Sequence, residues 1–423
     1  MPTTRSFNRM PEAHLLLIGS ELTQGRLADK NGVFLARELS ALGFTVAEIV
    51  MVPDDRAALR AQFQRALASS AQAILSCGGL GHTSDDLTAE VWAEVLGDRL
   101  EVSPVVLEHL RAQLAGRGVA VLPFLERYAL APARGMALLN PVGLSPALYW
   151  DLEGRIVAAL PGPPLELQAI WRAHVQPRLL ARFPLRPPFQ ATLRTTGISE
   201  SRLSSLIAEW EKALPSAFRL AYNPSWEGVS LHLRAPAEAD ATAFAQAVQS
   251  LRQLIQKYLY AEGDTTLAEA LLSYLKERQM TLATAESCTG GHVAAALVDV
   301  PGASEVFLGS VVAYANSTKV ALLGVSEATL AQEGAVSATV AQQMAEGVRK
   351  ALGSTIGIAT TGIAGPTGGT AEKPVGTVWF GIATPQRTWT KRFVFPGDRG
   401  AVLARATGAA LSLTWQALHG LLE

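Results

Sequence analysis

The 423-residue chain has only two cysteines, Cys77 and Cys288. They lie far apart and match no metal-ligand spacing, so free thiols in a reducing compartment are expected. Charge of one sign is missing too. With 36 Lys and Arg against 37 Asp and Glu, the formal net charge is -1, which offers no general attraction to nucleic acid; DNA binding would need a local basic patch. No apolar run approaches a membrane span, and the start shows no segment long enough for a signal peptide, so a cytoplasmic location is expected. Solenoid repeats and low-complexity segments are absent as well. What is present is apolar bulk, 49% hydrophobic against 17% charged residues. That is enough for two or three domains, each with its own core.

The first segment alternates short apolar runs with helical periodicity. HLLLIG from His14 reads as a buried strand, FTVAEIVMV and AILSC read as the second and third strands, and helices are expected after each. This alternation predicts an α/β domain with a parallel, doubly wound sheet, whose binding crevice lies at the carboxyl ends of the strands. A boundary is expected at the proline-dense RFPLRPPF, Arg182–Phe189. Residues 190–258 then read as a small α+β module with strands ATLRTTG and GVSLHLRAP, and AEGDTT from Ala261 reads as a linker. Residues 265–423 form a third, α/β, domain, and 12–182 the first.

Three stretches at expected strand ends of the first domain carry chemistry. GGLGHTSDD offers Gly79 and Gly81 for close approach of phosphate, Thr83 as a helix cap, and Asp86 as an oxygen ligand for a hard cation. VPDD adds Asp54, and acids from two strand ends can converge on one metal-phosphate site. GSELTQG adds Glu21 as a ligand or ribose contact. The glycine pattern is not a Walker loop, because the Gly-Lys-Ser/Thr ending is missing.

In the last domain TLATAE reads as a strand and SCTGGHVAAALVDV as a helix starting near Ser287, where the dipole and backbone amides would favour a nucleophile and an oxyanion. VVAYANSTK reads as a strand ending in a polar turn that offers Tyr314, Asn316 and Lys319. A buried lysine with a lowered pKa can deprotonate serine. Cys288 lacks the histidine or positive neighbourhood a thiolate needs, so Ser287 is the expected nucleophile and Cys288 a packed small residue. IGIATTGIAGPTGG opens into a loop rich in amides and hydroxyls, suited to an oxyanion hole or a phosphate cradle. FPGDRGAVLARA begins a helix carrying Arg399 and Arg405 as phosphate clamps.

AESCTGG, YANSTK, TTGIAGPTGG and FPGDR together resemble the C-terminal domain of the competence/damage-inducible CinA family, over essentially all of 265–423. Stand-alone relatives of that domain are nicotinamide-nucleotide amidases. The resemblance implies Ser287 as nucleophile with Lys319 and Tyr314 as activating partners. It also implies a substrate site around Thr289, Gly290, Asn316, Thr361, Gly362, Gly365, Arg399 and Arg405, and no cofactor for this reaction. GSEL, VPDD, GGLG-x-T-x-DDLT, NPVG, LPGPP and GISES resemble the remainder of that family, a molybdenum-cofactor-biosynthesis-like domain followed by a small middle domain. For the first domain the resemblance implies nucleotide contacts at Glu21, Gly79, Gly81, Thr83 and Asn140, and a divalent metal such as Mg²⁺ at Asp54 and Asp86, with potassium as a further ion. His82, Lys30 and NPVGLSPAL depart from the family pattern.

The expected activity is hydrolysis of nicotinamide mononucleotide to nicotinate mononucleotide and ammonia, with ADP-ribose hydrolysis in the first domain. The expected partners are these small nucleotides and a second copy of the chain, with neither membrane nor nucleic acid. A binding or scaffold role in DNA uptake or repair is the reading from another class.

Overall fold

The computed structural model describes residues 10–120 and 124–422. Its internal contacts divide the chain after Pro188 into two compact units. The first unit is built on β1 (Glu12–Ile18), β2 (Thr45–Val52), β3 (Ala73–Cys77), β4 (Met136–Leu138), β5 (Ala147–Leu152) and β6 (Arg155–Leu160), in the sheet order β2-β1-β3-β6-β5-β4. The first four strands of that order run parallel; β5 is antiparallel to β6, and β4 to β5. Helices α1 (Asn31–Leu42), α2 (Arg56–Ala68) and α3 (Thr88–Val95) follow β1, β2 and β3.

The period of two explains the layering. Leu15 and Leu17 of β1 pack with Leu35 and Leu39 of α1, whereas Leu16 and Ile18 pack with Leu59 and Phe63 of α2 on the opposite face. Asp55 caps α2 by accepting from the Ala58 amide at 2.9 Å. The parallel strands therefore deliver Gly19, Pro53 and Gly78 to one edge of the sheet.

The second unit holds both remaining parts of the chain. Its first part comprises β7 (Phe189–Thr195), α4 (Glu200–Lys212), β8 (Arg219–Pro224), β9 (Val229–Ala235), α5 (Ala241–Ile255) and β10 (Leu259–Glu262). They form an antiparallel sheet ordered β8-β9-β7-β10. Both β8 and β10 are edge strands; β8 has no fully buried residue and β10 only Tyr260, so neither shows an apolar run. β10 includes Ala261 and Glu262 of the expected linker, which pair with Arg194 and Leu193.

The last part comprises α6 (Leu267–Glu277), β11 (Leu282–Glu286), α7 (His292–Val298), β12 (Phe307–Val312), α8 (Asn316–Leu323), α9 (Ala338–Leu352), β13 (Ile356–Gly362), β14 (Thr377–Ala383), β15 (Thr388–Val394) and α10 (Arg399–Leu418). The sheet order is β12-β11-β13-β14-β15; the first three strands run parallel, β14 is antiparallel to β13, and β15 to β14. One face is covered by α6, α7 and α10, the other by α8 and α9. The two parts of this unit are joined by a 2.6 Å contact between the hydroxyls of Thr196 and Ser412 and by the Tyr260 ring lying edge-on to Trp415. No helix among the described residues is long and apolar enough to cross a membrane.

Two expectations need correction. The helix expected from Ser287 starts at His292, because Gly290 and Gly291 take positive φ of 58° and 102° and interrupt it. Lys319 lies in α8 rather than in a turn ending a strand, since the strand stops at Val312.

Glycines in the sheet set how closely α9 approaches. A Cβ on Gly357 would meet the Ala345 carbonyl oxygen at 2.1 Å, and one on Gly381 the Ala341 carbonyl oxygen at 2.2 Å. Gly381→Val is expected to destabilise the second unit by about 3 kcal/mol, the upper range for overpacking, read as a lowered urea midpoint. An unchanged midpoint would mean that α9 is not pressed against the sheet.

Candidate active site

Alternation along β11 sends consecutive side chains to opposite layers. Leu282, Thr284 and Glu286 point to the α7 side. Ala283 and Ala285 pack on the α8 and α9 side, and Ser287, next in register, follows them. The ladder continues one residue past the strand, as the Ser287 amide donates to the Thr360 carbonyl at 2.9 Å. β11 also lies where chain connections diverge, since its parallel neighbours are β12 on one side and β13 on the other. Crevices form at such switch points in open sheets.

Lys319 meets Ser287 there. Its side chain is 1% exposed, and Nζ donates to Ser287 Oγ at 3.0 Å, to the Ala313 carbonyl at 2.8 Å and to the Tyr314 carbonyl at 3.1 Å. No carboxylate is among these partners. Burial therefore holds the amine below its ordinary value of 10.5, against a smaller opposing effect from Cys288. In the neutral form two hydrogens suffice for the two carbonyls, which leaves the lone pair aimed at the serine hydroxyl. Cys288 next door packs into the core facing α6, α7 and α10, and burial pushes its thiol up to about 12. A thiolate is disfavoured at that position.

Glu286 is the residue that sequence reasoning missed. It is 1% exposed, yet its carboxylate accepts from the amides of Gly291 at 2.9 Å, Val293 at 3.1 Å and Ala294 at 2.8 Å. Thr289 Oγ1 donates to it at 2.7 Å and also meets Thr360 Oγ1 at 2.6 Å. The start of α7 is thus satisfied by a carboxylate from the preceding strand, and its dipole acts on Glu286 rather than on Ser287. The available signal was a charged residue closing an otherwise apolar strand, which must find donors if it is buried.

The other expected residues divide. Tyr314 is largely exposed, and its hydroxyl accepts from Arg399 Nη2 at 3.2 Å; its main-chain carbonyl, not its ring, reaches Lys319. Arg399 Nη1 also donates to the Gly365 carbonyl at 3.0 Å, so it ties the segment before α8 to the loop after β13. Gly365 has φ 84°, and a Cβ there would meet Val375 Cγ1 at 2.5 Å. Gly290 is exposed with open space around its α-carbon, and Asn316 is an exposed first residue of α8. Gly362 ends β13.

Three expected substrate contacts are placed elsewhere. Thr289 is fully buried against Glu286, and Thr361 Oγ1 donates to the Ala335 carbonyl at 2.7 Å. Arg405 stacks over the Trp226 ring at 4.2 Å and bonds the Pro396 carbonyl. Six residues along α10 turn it about 240° from Arg399.

In the first unit Glu21, Asp54, Gly79 and Asp86 line one cavity of about 520 Å³, together with Asp29, Lys30 and Asp85. Gly81 and Asp86 line an adjoining cavity of about 460 Å³. Asp54 Oδ2 accepts from the Ser20 amide at 2.7 Å, and Asp86 Oδ2 from the Thr83 amide at 2.9 Å. Thr83 thus braces Asp86 through its amide and its hydroxyl. Among the described residues no group of three or more His, Cys, Asp or Glu converges as metal ligands. Two carboxylates at one cavity fit a magnesium-type ion that takes its other ligands from water and substrate phosphate.

Asn140 does not face a ligand. Its amide nitrogen donates to the Ser145 carbonyl at 2.8 Å and to Glu166 at 2.6 Å, while its oxygen accepts from the amides of Val142 and Gly143. It organises its own loop. His82 turns to an aromatic cluster, stacked on Phe124 at 3.8 Å between ring centroids and 3.0 Å from the Tyr128 hydroxyl.

Fold and site together define a multi-part α/β protein with a buried serine–lysine pair at a strand end. Family models match at residues 14–181 (probable molybdopterin binding domain), 190–261 (damage-inducible protein CinA KH domain) and 264–418 (CinA C-terminal domain). A CinA-like protein from Salinibacter ruber is 42% identical over 391 residues, 92% of this chain and 95% of the relative. A putative competence-damage inducible protein from Symbiobacterium thermophilum is 40% identical over 435 residues, 97% of this chain and 100% of the relative. A solved structure, competence/damage inducible protein CihA from Agrobacterium tumefaciens, is 36% identical and covers 35% of this chain and 90% of that one at a TM-score of 0.34. The chain belongs to the CinA family.

Removing Glu286 tests its bracing role. Glu286→Ala leaves three amides without their acceptor, and the second unit is expected to lose about 3 kcal/mol or more from unmade buried bonds. Thermal melting reads this directly, and an unchanged Tm would contradict it.

Proposed function

We propose that the C-terminal part hydrolyses the carboxamide of nicotinamide mononucleotide, releasing ammonia and nicotinate mononucleotide. The observation that carries this reading is the 3.0 Å contact between Lys319 Nζ and Ser287 Oγ inside a buried box of carbonyls. Neutral Lys319 takes the serine proton as Oγ bonds the carboxamide carbon. Within the turn the amides of Ser287, Gly290 and Gly291 are already bonded, so those of Cys288 and Thr289, with the loop after Gly362, are the candidate donors to the oxyanion. The carbon–nitrogen bond then breaks, and ammonia departs with the proton held by Lys319. Water, deprotonated by the same amine, displaces the acyl group and returns Ser287 to its hydroxyl form. No step of this scheme calls for a metal. Arg399, exposed and bonded to Gly365 and Tyr314, is the candidate cation for the substrate phosphate.

Ser287→Ala is expected to lower ammonia release by at least about 10³-fold, as loss of a covalent nucleophile does, while Cys288→Ala retains most of it. Equal turnover by wild type and Ser287→Ala would overturn the assignment. The pH dependence follows from Lys319. Its pKa in the folded chain lies below 10.5, so kcat/KM rises with pH through that lowered value, and the rising limb disappears in Lys319→Met. Stability moves the same way. Between the folded value and 10.5 the unfolded chain binds the extra proton, so folding gains as pH increases; the penalty is full below the folded value and gone above 10.5.

A second reading concerns the first unit, where Asp54, Gly79 and Asp86 share a cavity. We propose ADP-ribose hydrolysis there, with Asp54 and Asp86 holding a divalent ion and Gly79 admitting the pyrophosphate. Such an ion, when bound, neutralises phosphate charge and polarises the phosphoryl oxygen. EDTA and Asp86→Ala are each expected to abolish ADP-ribose hydrolysis and leave ammonia release unchanged. ADP-ribose turnover that survives both treatments would exclude this reading.

A further inference from the structure

Within the second unit, a cavity of about 860 Å³ opens where the α+β part meets β15 and α10. Its wall carries Arg202, Lys257, Lys391 and Arg405, together with the aromatic rings of Trp226 and Phe393. One carboxylate, Glu227, lines it, and that group already accepts from the Tyr260 hydroxyl at 3.1 Å and the Leu267 amide at 3.3 Å. Surface arginines elsewhere in the chain commonly find acids, as Arg56 does with Glu90 and Glu94 and Arg252 with Glu262. None of the four cations of this cavity has a carboxylate within ion-pair distance among the described residues. Gathering like charges around one concavity is unfavourable unless an anion enters, and the low-dielectric walls focus the positive potential.

The aromatic side chains narrow the ligand further. Trp226 is 51% exposed and Phe393 40% exposed, unusual for rings that could have been buried. Arg405 covers one face of Trp226 with its guanidinium 4.2 Å from the ring centroid, an arrangement that holds the indole in place. An exposed, oriented ring beside uncompensated cations suits a ligand with a flat heteroaromatic group and a phosphate. The volume suits a mononucleotide rather than a bare ion. The site is separate from the serine–lysine pair, because none of Ser287, Lys319, Ala313 and Tyr314 lines this cavity.

We propose that this cavity is a second binding site, for a phosphate-bearing heteroaromatic ligand of mononucleotide size. It goes beyond the hydrolytic reading and does not depend on it.

The test uses the full chain and AMP as probe. Photolabelling with 8-azido-AMP and peptide mapping separates this cavity from the other sites that accept nucleotides. Label is expected on the peptides carrying Trp226 or Phe393 and is competed away by AMP, with adenosine and inorganic phosphate each competing less well than AMP. The double variant Arg202→Glu/Lys391→Glu is expected to weaken AMP protection of those peptides by about tenfold or more, the scale of losing charge-assisted contacts. Circular dichroism and the Tm confirm that the variant is folded; if charge reversal prevents folding, Lys391→Gln alone serves, with a smaller loss in the same direction. Absence of label from these peptides overturns the proposal, as does label that is indifferent to the substitutions. Protection by a single-stranded oligonucleotide but not by AMP overturns it in favour of a nucleic-acid surface.

Discussion

Lys319 has nowhere to place its hydrogens except two main-chain carbonyls and the hydroxyl of Ser287. Burying an ammonium without a counter-ion is costly, and the cost falls when the group is neutral. The surroundings thus favour the neutral amine and hold it against the Ser287 hydroxyl. Everything else near the site follows from keeping that geometry. α8 must begin just after Tyr314 for the carbonyls of Ala313 and Tyr314 to face inward, and β11 must end at Glu286 for Ser287 to meet the amine.

The period of two along β11 separates two tasks that adjacent residues perform. Ser287 turns toward the helix layer that carries Lys319, while Glu286 turns to the opposite layer and satisfies the first amides of α7. A buried carboxylate with this many donors fixes the turn between strand and helix, and the Thr289–Thr360 hydroxyl contact ties it to β13. A register slip of one residue would exchange the two side chains and leave a carboxylate beside the lysine, an ion pair that would favour the charged amine.

Much of the site was legible in the sequence, for definite reasons. A nucleophile between an apolar strand and paired glycines is a local feature, and so is the preference for serine over cysteine when the candidate base is a lysine. β1, β3, β6, β11 and β13 were readable because strands buried on both faces are continuous apolar runs, whereas β12, a partly exposed edge strand starting at Phe307, was expected only from Val311. Glu286 was not legible, because the return of the chain onto that carboxylate depends on the positive φ of Gly290 and Gly291. Lys319 was identified while its helix was missed, since the exposed start of α8 has little apolar periodicity. Arg405 was misplaced because its partner, Trp226, lies 179 positions earlier in the chain, in the α+β part. Asn140 looked like a ligand contact from its motif; four hydrogen bonds to its own neighbourhood show a structural role instead.

The most direct measurement is the titration of Lys319 itself, followed through the ε-carbon resonance of ¹³C-labelled lysine and assigned by its loss in Lys319→Met. The structure predicts a midpoint clearly below the ordinary 10.5, with the resonance sensitive to Ser287→Ala. A midpoint at or above 10.5 would mean that the amine stays charged, and a base drawn from Lys319 could not activate Ser287.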